Sequence, residues 1–244
     1  ITNIKAGASK LDGVLIPQQG PPKNTHEGMV QRLKVMAKLD LTQTRKPQDG
    51  KFRFRHKAEQ IDVRLSVIPT IHGENVVMRL LRPAAKLGSI AELGMPIQMC
   101  QWFEEAVRKP HGMVLVTGPT GSGKTTTLYT ALHSLNSPDT NIMTIEDPVE
   151  IRLPLIRQVQ VNSEIGLTFA SALRSILRQD PDVVLLGEVR DAETAKIAVQ
   201  AAMTGHLVLS TLHTNNAVGC INRLRDFDLP TFAINSALLC TLAQ

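Results

Sequence analysis

The chain has 244 residues, 43% hydrophobic and 20% charged, an ordinary balance for a globular protein with room for one large domain or two small ones. No apolar run approaches the roughly 20 residues that span a bilayer, so no transmembrane segment is expected. Three widely spaced cysteines, Cys100, Cys220 and Cys240, argue for reduced thiols and against a disulfide framework or a zinc site. The net charge of +5 is spread along the chain and aromatics make up only 3%, so no nucleic-acid groove is expected; acidic proteins or acidic lipid are the better-matched neighbours. A first residue of Ile1 suggests a fragment, open to an upstream targeting segment.

The first predicted element is a helix over 25–38, with Met29, Leu33, Met36 and Ala37 at helical spacing. Gln48-Asp49-Gly50 reads as a turn. Phe52 to Arg55 and Ile61 to Val67 alternate in polarity as half-buried strands do, and Asn75 to Leu81 is a third strand candidate. Residues 1–82 are thus expected to form a small α+β domain on an antiparallel sheet, with Arg64 and Arg79 on polar strand faces. Pro83, Gly88, Gly94 and Pro96 mark 83–96 as a linker. From 97 to 244, strands (113–117, 141–145, 156–161, 183–187, 207–211) alternate with helices (97–108, 125–135, 169–178, 192–203, 217–226), which predicts an α/β domain with a mainly parallel sheet.

Between the strand at 113–117 and the helix after it runs Gly118-Pro119-Thr120-Gly121-Ser122-Gly123-Lys124-Thr125, which meets every position of the phosphate-binding loop pattern. Glycines let the backbone take positive φ and come close to an anion, so successive N–H groups converge. Lys124 is suited to the β- and γ-phosphates of a nucleoside triphosphate, the Thr125 hydroxyl to Mg²⁺, and the first helical turn, through Thr126, brings a positive dipole end. Strand 183–187 ends at Glu188, placed to orient an attacking water or to hold Mg²⁺ through a water. Glu146, Asp147 and Glu150 follow another strand, with Pro148 constraining the turn; Glu146 is a further catalytic candidate. Ligands of open parallel sheets bind at the C-terminal strand edge, where these acids would meet the loop. His213 stands just past strand 207–211 as a candidate γ-phosphate sensor, while His206 opens that strand. Arg174 and Arg178, four apart on one helical face, are either a phosphate-sensing or inter-subunit pair or a solvated surface.

These motifs together resemble the secretion ATPases of type II secretion and type IV pilus assembly (the GspE/PilB group). The glycine-rich loop matches that family's Walker A box, and Thr144 to Glu150 looks like its acidic Asp box. Leu173 to Asp191 is similar to its Walker B region and Thr204 to Thr214 to its His box, while Arg32 to Asp40 and Arg45 to Gly50 resemble the small PAS-like domain ahead of the motor. The resemblance implies a RecA-like P-loop ATPase that uses ATP and Mg²⁺ in a homo-hexameric ring, with nucleotide between the small and RecA-like domains. Arg45, Arg64 and Arg79 would approach the phosphates when the small domain closes. It implies a cytoplasmic motor, peripherally attached to the bacterial inner membrane, that drives platform proteins of secretion or of pilus assembly. His72-Gly73-Glu74 and the segment after His213 lean toward secretion. Pilus extension is the alternative, and a DNA-uptake or conjugation ATPase is disfavoured by the few aromatics. Two departures stand out. Gly7-Ala8-Ser9 is followed at once by Lys10 to Leu15, a shortened hairpin or a missing segment, and a tetracysteine zinc module, where the family has one, would follow Gln244.

Overall fold

A computed structural model describes residues 2–3, 8–11, 14–17, 22–56, 59–81 and 87–244. The chain divides into two compact units, Ile1–Ala85 and Lys86–Gln244.

The first unit contains β1 (Thr2–Asn3), β2 (Ala8–Leu11), β3 (Val14–Pro17), a 3₁₀ turn at Lys23–Thr25, α1 (His26–Met36), β4 (Gln48–His56), β5 (Glu59–Thr70) and β6 (Gly73–Leu81). Its sheet runs β3-β2-β1-β6-β5-β4, antiparallel throughout. Ala8–Leu11 and Val14–Pro17 pair directly, so the departure noted near Lys10 lies in a hairpin whose Asp12 and Gly13 fall outside the described residues. Along β5, Val63, Leu65 and Val67 are buried, the last two in the core shared with α1, while Asp62, Arg64 and Ser66 fall on the opposite face, the period-2 consequence of a sheet covered on one side. Three of the four residues expected on the apolar stripe of this helix face the core, with Ala37 buried just past its end. Val30 is the helix's buried apolar residue with Met29 and Leu33 half-buried, and Met36 is exposed.

One further reading of this unit changes. Gln48-Asp49-Gly50 is no turn but the start of β4. Gly50 is there because α1's end lies against it: a Cβ would meet Ala37 Cβ and Leu39 Cδ2 at 2.9 Å each. Lys34, on the same helix, is fully buried, its Nζ 2.6 Å from Glu74 Oε1 and donating to the Gln43 carbonyl at 2.9 Å. That amine ties α1 to β6 and to the loop that carries Arg45.

The second unit begins inside the expected linker. Ile90–Leu93 form a 3₁₀ turn, and Ile90 is packed into the core with Leu87, Leu93 and Met95 against it. Then come α2 (Ile97–Val107), β7 (Gly112–Thr117), α3 (Lys124–Leu135), β8 (Ile142–Glu146), β9 (Arg157–Gln160), a 3₁₀ turn at Ser163–Ile165, and α4 (Phe169–Ile176). They are followed by β10 (Val183–Leu186), α5 (Ala192–Met203), β11 (Leu207–Leu212), α6 (Ala217–Asp226), α7 (Thr231–Ala237) and β12 (Leu238–Ala243). The sheet order is β12-β7-β11-β10-β8-β9, all parallel. Every residue of β7, β8, β10 and β11 is buried. In β7, Met113 and Leu115 join the core that includes Ala195, Ala198 and Val199 of α5, and Val114 and Val116 join the one that includes Phe103 of α2 and Leu128 of α3. Helices on both faces explain why these strands read as continuous apolar runs. α7 and β12 were not anticipated: Leu238 to Ala243 is a short apolar run whose periodicity suits either state, and pairing along β7 makes it a strand.

Candidate functional site

Because the second sheet is parallel, its strands deliver their following loops to one edge. β7 leads into Gly118–Gly123, β8 into Asp147, β10 into Gly187–Asp191 and β11 into His213. The glycine-rich loop holds Gly118, Gly121 and Gly123 at φ of +142°, +84° and +99°. At Gly118 a side chain is also excluded by crowding, since a Cβ would lie 2.2 Å from the Gln244 carbonyl oxygen. Pro119, Thr120 and Gly121 form the exposed tip, Thr125 is half-buried and Thr126 exposed in the first turn of α3.

Lys124 opens α3 and is buried, its Nζ donating to the Gly118 and Pro119 carbonyls at 2.8 Å each. Burial pushes its ammonium below the ordinary lysine range, against the opposing pull of Glu188. The cation thus sits over the loop, held by neutral acceptors that an anion can replace. Ser122 Oγ is buried and meets no partner among the described residues, a hydroxyl that a phosphate in the loop would satisfy.

Glu188 lies on a segment pinned from both sides. The Gly187 amide donates to Ile145 O at 2.8 Å, the Thr211 hydroxyl to Gly187 O at 2.7 Å, and the Val189 amide to Thr211 O at 3.1 Å. One carboxylate oxygen meets Arg190 Nη2 at 2.5 Å, and the other lies 3.3 Å from His213 Nε2. Arg190 Nη1 reaches Asp147 Oδ2 at 3.1 Å, and its guanidinium lies over the Phe169 ring, 5.3 Å from the centroid. Burial would raise the Glu188 carboxyl, but the Arg190 hydrogen bond and charge, with His213, outweigh it and hold the group below the ordinary carboxylate range. Arg190 was named only within a motif, yet it bridges two acids. The i, i+2 spacing of Glu188 and Arg190 in an extended segment, which puts both on one side, was the available signal.

Other expected site residues are placed differently. Glu146 is 4% exposed and its carboxylate is fully engaged: it accepts hydrogen bonds from the Tyr129 hydroxyl, from Thr144 Oγ1 at 2.5 Å and from Gln158 Nε2 at 3.1 Å. As the last residue of β8 it points toward α3, where it fastens the loop's helix to the sheet, and Asp147 takes its place beside Arg190. Arg174 pairs with Glu193 at 2.6 Å on the exposed face of α4, which ends at Ile176 and not at 178, and Arg178, in the exposed turn after it, donates back to the Arg174 carbonyl at 2.8 Å, so neither joins the loop residues. His206 binds the Ala201 carbonyl through Nδ1 at 3.1 Å, at the start of β11 and the far end from His213. Arg45, Arg64 and Arg79 belong to the first unit, where Arg64 and Arg79 stand opposite each other across β5 and β6 and Arg45 is exposed in the α1–β4 loop. Among the described residues no group of three or more His, Cys, Asp or Glu is placed to hold a metal. Mg²⁺ takes one or two protein ligands and completes its shell with water and phosphate. The Thr125 hydroxyl and Glu188 are the donors available.

Parallel order, buried strands and a glycine-rich loop at the carboxyl edge define a RecA-like α/β domain, preceded in the chain by a small antiparallel one. The profile of the family described as type II/IV secretion system protein matches residues 9–244, and the chain belongs to that family. It is 53% identical over 235 residues to the type II secretion system ATPase E of Vibrio cholerae, covering 96% of this chain and 47% of that protein. It is 52% identical over 236 residues to the type IV pilus assembly ATPase PilB of Myxococcus xanthus, covering 96% of this chain and 42% of that one. The chain therefore spans about half, or less, of the length of these relatives. Among solved structures, the pilus retraction motor PilT with bound ADP aligns with a TM-score of 0.73 at 29% identity, over 99% of this chain and 73% of that one. The Legionella pneumophila ATPase DotB shares the fold, with a TM-score of 0.72 at 24% identity over 91% of this chain and 63% of that one.

Proposed function

We propose that the chain is the ATP-hydrolysing core of a hexameric type II secretion motor, bound to inner-membrane platform proteins on the cytoplasmic side. The observation that carries the reading is the meeting of two parts at one sheet edge: Lys124 folded over the phosphate-loop carbonyls, and Glu188 clamped between Arg190 and His213. In this reading Gly118 to Thr126 bind the triphosphate of ATP, and Lys124 exchanges its carbonyl partners for phosphate oxygens. Thr125, with Glu188 through a water, would hold Mg²⁺, which neutralises charge on the β- and γ-phosphates when bound.

Glu188 accepts a hydrogen bond from the attacking water. A carboxyl held below its ordinary range is ionised at neutral pH and is a weak base, so it orients and polarises water rather than stripping its proton early. His213 touches Glu188 and reports the state of the γ-phosphate to it. Arg45, Arg64 and Arg79 add positive charge to the phosphates during turnover, and Arg174 and Arg178 contact a neighbouring subunit. Glu146 contributes by fixing α3 rather than by touching substrate.

ATP hydrolysis by the full-length protein, abolished in Glu188→Gln while a fluorescent ADP analogue still binds, tests the chemistry. Equal turnover in the variant sinks it and leaves a nucleotide-gated scaffold. The Myxococcus xanthus relative keeps pilus extension as a second reading. Restoration of exoprotein secretion, and not of piliation, in a strain lacking its secretion ATPase would decide for the first.

A further inference from the structure

The strand that feeds the phosphate loop ends in a side chain that the chemistry above does not use. Thr117, last residue of β7, is 0% exposed, and its hydroxyl lies 2.9 Å from Leu212 O, 2.8 Å from Thr214 O and 2.7 Å from Thr214 Oγ1, while the Thr214 amide donates to it at 2.8 Å. Thr117 and Leu212 are the final register pair between β7 and β11. Past them the two chains part, one turning at Gly118 into the phosphate loop and the other carrying His213. The hydroxyl therefore supplies the rung that the ladder lacks. It holds the residues on both sides of His213 with one oxygen, next to the glycine whose carbonyl takes Lys124 Nζ. Thr214 passes the connection onward, donating to Asn216 O at 3.0 Å and lying 3.4 Å from Cys220 Sγ of α6.

We propose that Thr117 is a positioning residue that clamps the His213 loop to the phosphate loop, so that the two move as one body when the γ-phosphate arrives or leaves. The inference rests on the ATPase reading and deepens it. Thr117 touches no substrate and acts through His213, which in turn meets Glu188 at 3.3 Å. Valine has nearly the shape of threonine without the hydroxyl, so Thr117→Val removes the rung and leaves the Thr214 amide without this acceptor, and serine restores it.

In the full-length protein, Thr117→Val is expected to lower kcat about 10- to 100-fold through misplacement of His213. Affinity for a fluorescent ADP analogue should stay within about twofold and Thr117→Ser should recover most of the rate, since the rung is not a phosphate ligand. On a His213→Ala background, Thr117→Val should cost no more than about twofold, because a clamp has nothing left to place. Undiminished kcat in Thr117→Val, an equal loss of nucleotide affinity, or a full loss on the His213→Ala background would each overturn the proposal. Should Thr117→Val not fold, amide exchange of residues 212–216 in the wild type decides. It should be slower with a non-hydrolysable ATP analogue than with ADP, and equal exchange overturns the clamp. A wild type that binds nucleotide without hydrolysing it would sink the ATPase reading, whereas an active wild type with an equally active valine variant would sink only the clamp.

Discussion

Every residue of β7 and β11 is buried, whereas β4 alternates along its first residues and ends fully exposed. The difference follows from what covers each sheet: helices on both faces in the second unit, one helix on one face in the first. It decides where each unit can keep a charge. A strand with two covered faces has little room for ionised groups before its end, so Lys124, Glu188, Arg190 and His213 collect past the strand ends at one edge, and Glu146 takes the last position of β8. A strand with an open face carries them along its length. There Lys51, Arg64 and Arg79 share one cross-strand row, and Arg53 meets Asp62 at 2.6 Å. Charge in the second unit is concentrated at one edge, and charge in the first is spread over a surface.

The contrast predicts that removing an edge charge costs activity and little stability. Glu188→Gln should cut ATP turnover by about 10²–10³-fold, the usual worth of one preorganised polar group in a site, with a nearly unchanged thermal midpoint and retained nucleotide binding. A midpoint that fell as steeply as the rate would make Glu188 structural. The next effect in size belongs to the buried lysine of the first unit. Lys34→Met leaves Glu74 without its partner and should cost about 3–5 kcal/mol by urea unfolding, the scale for half of a buried pair. Its signature would be an early transition confined to the first unit, followed by proteolysis within residues 22–81.

Tyr129→Phe tests the buried acid at the end of β8. It leaves Glu146 with Thr144 and Gln158 but without the phenol, and should lower stability by about 1–3 kcal/mol. Calorimetry would show it, and a change in rate without a change in midpoint would return Glu146 to the catalytic group. The sign of the pH effect at Glu188 is fixed by its lowered folded value. Its contribution to stability is complete above the unfolded glutamate range, about 4.3, and is lost as pH falls through the lower folded value. The acid limb of kcat/KM should lie correspondingly low. Arg190→Ala should move that limb upward, toward the ordinary carboxylate range, and an unmoved limb would show that Arg190 does not hold the acid. The smallest effect is expected at the open face of the first sheet. Asp62→Asn removes the partner of Arg53, both half-exposed, and the melting midpoint should not move measurably.

Much of this was legible in the residues alone, because local chemistry dictates it. The glycine-rich loop announces itself by spacing, since only glycine tolerates the backbone that Gly118, Gly121 and Gly123 adopt. Strands buried on both faces and alternating strands are distinct patterns, so the two sheets and most of their elements could be read in order. What the sequence determined by itself was therefore the composition of each element and the identity of the loop.

Tertiary structure decided the rest, wherever a residue's role depends on a partner far away in the chain. Glu146 and Glu188 both follow apolar strands, and only the side toward which each points makes one a buried anchor to Tyr129 and the other an open acid beside His213. Gly50 reads as a turn until α1 lies against it, and Leu238 to Ala243 has no defined state until β7 lies beside it. Lys34 looks like a surface position until Glu74 and Gln43 close around it, and Thr117 becomes a clamp only because Thr214, remote in sequence, arrives at its hydroxyl. Periodicity reports which face of an element is apolar, but pairing between distant segments sets which polar group meets which, and that is where this protein's site is made.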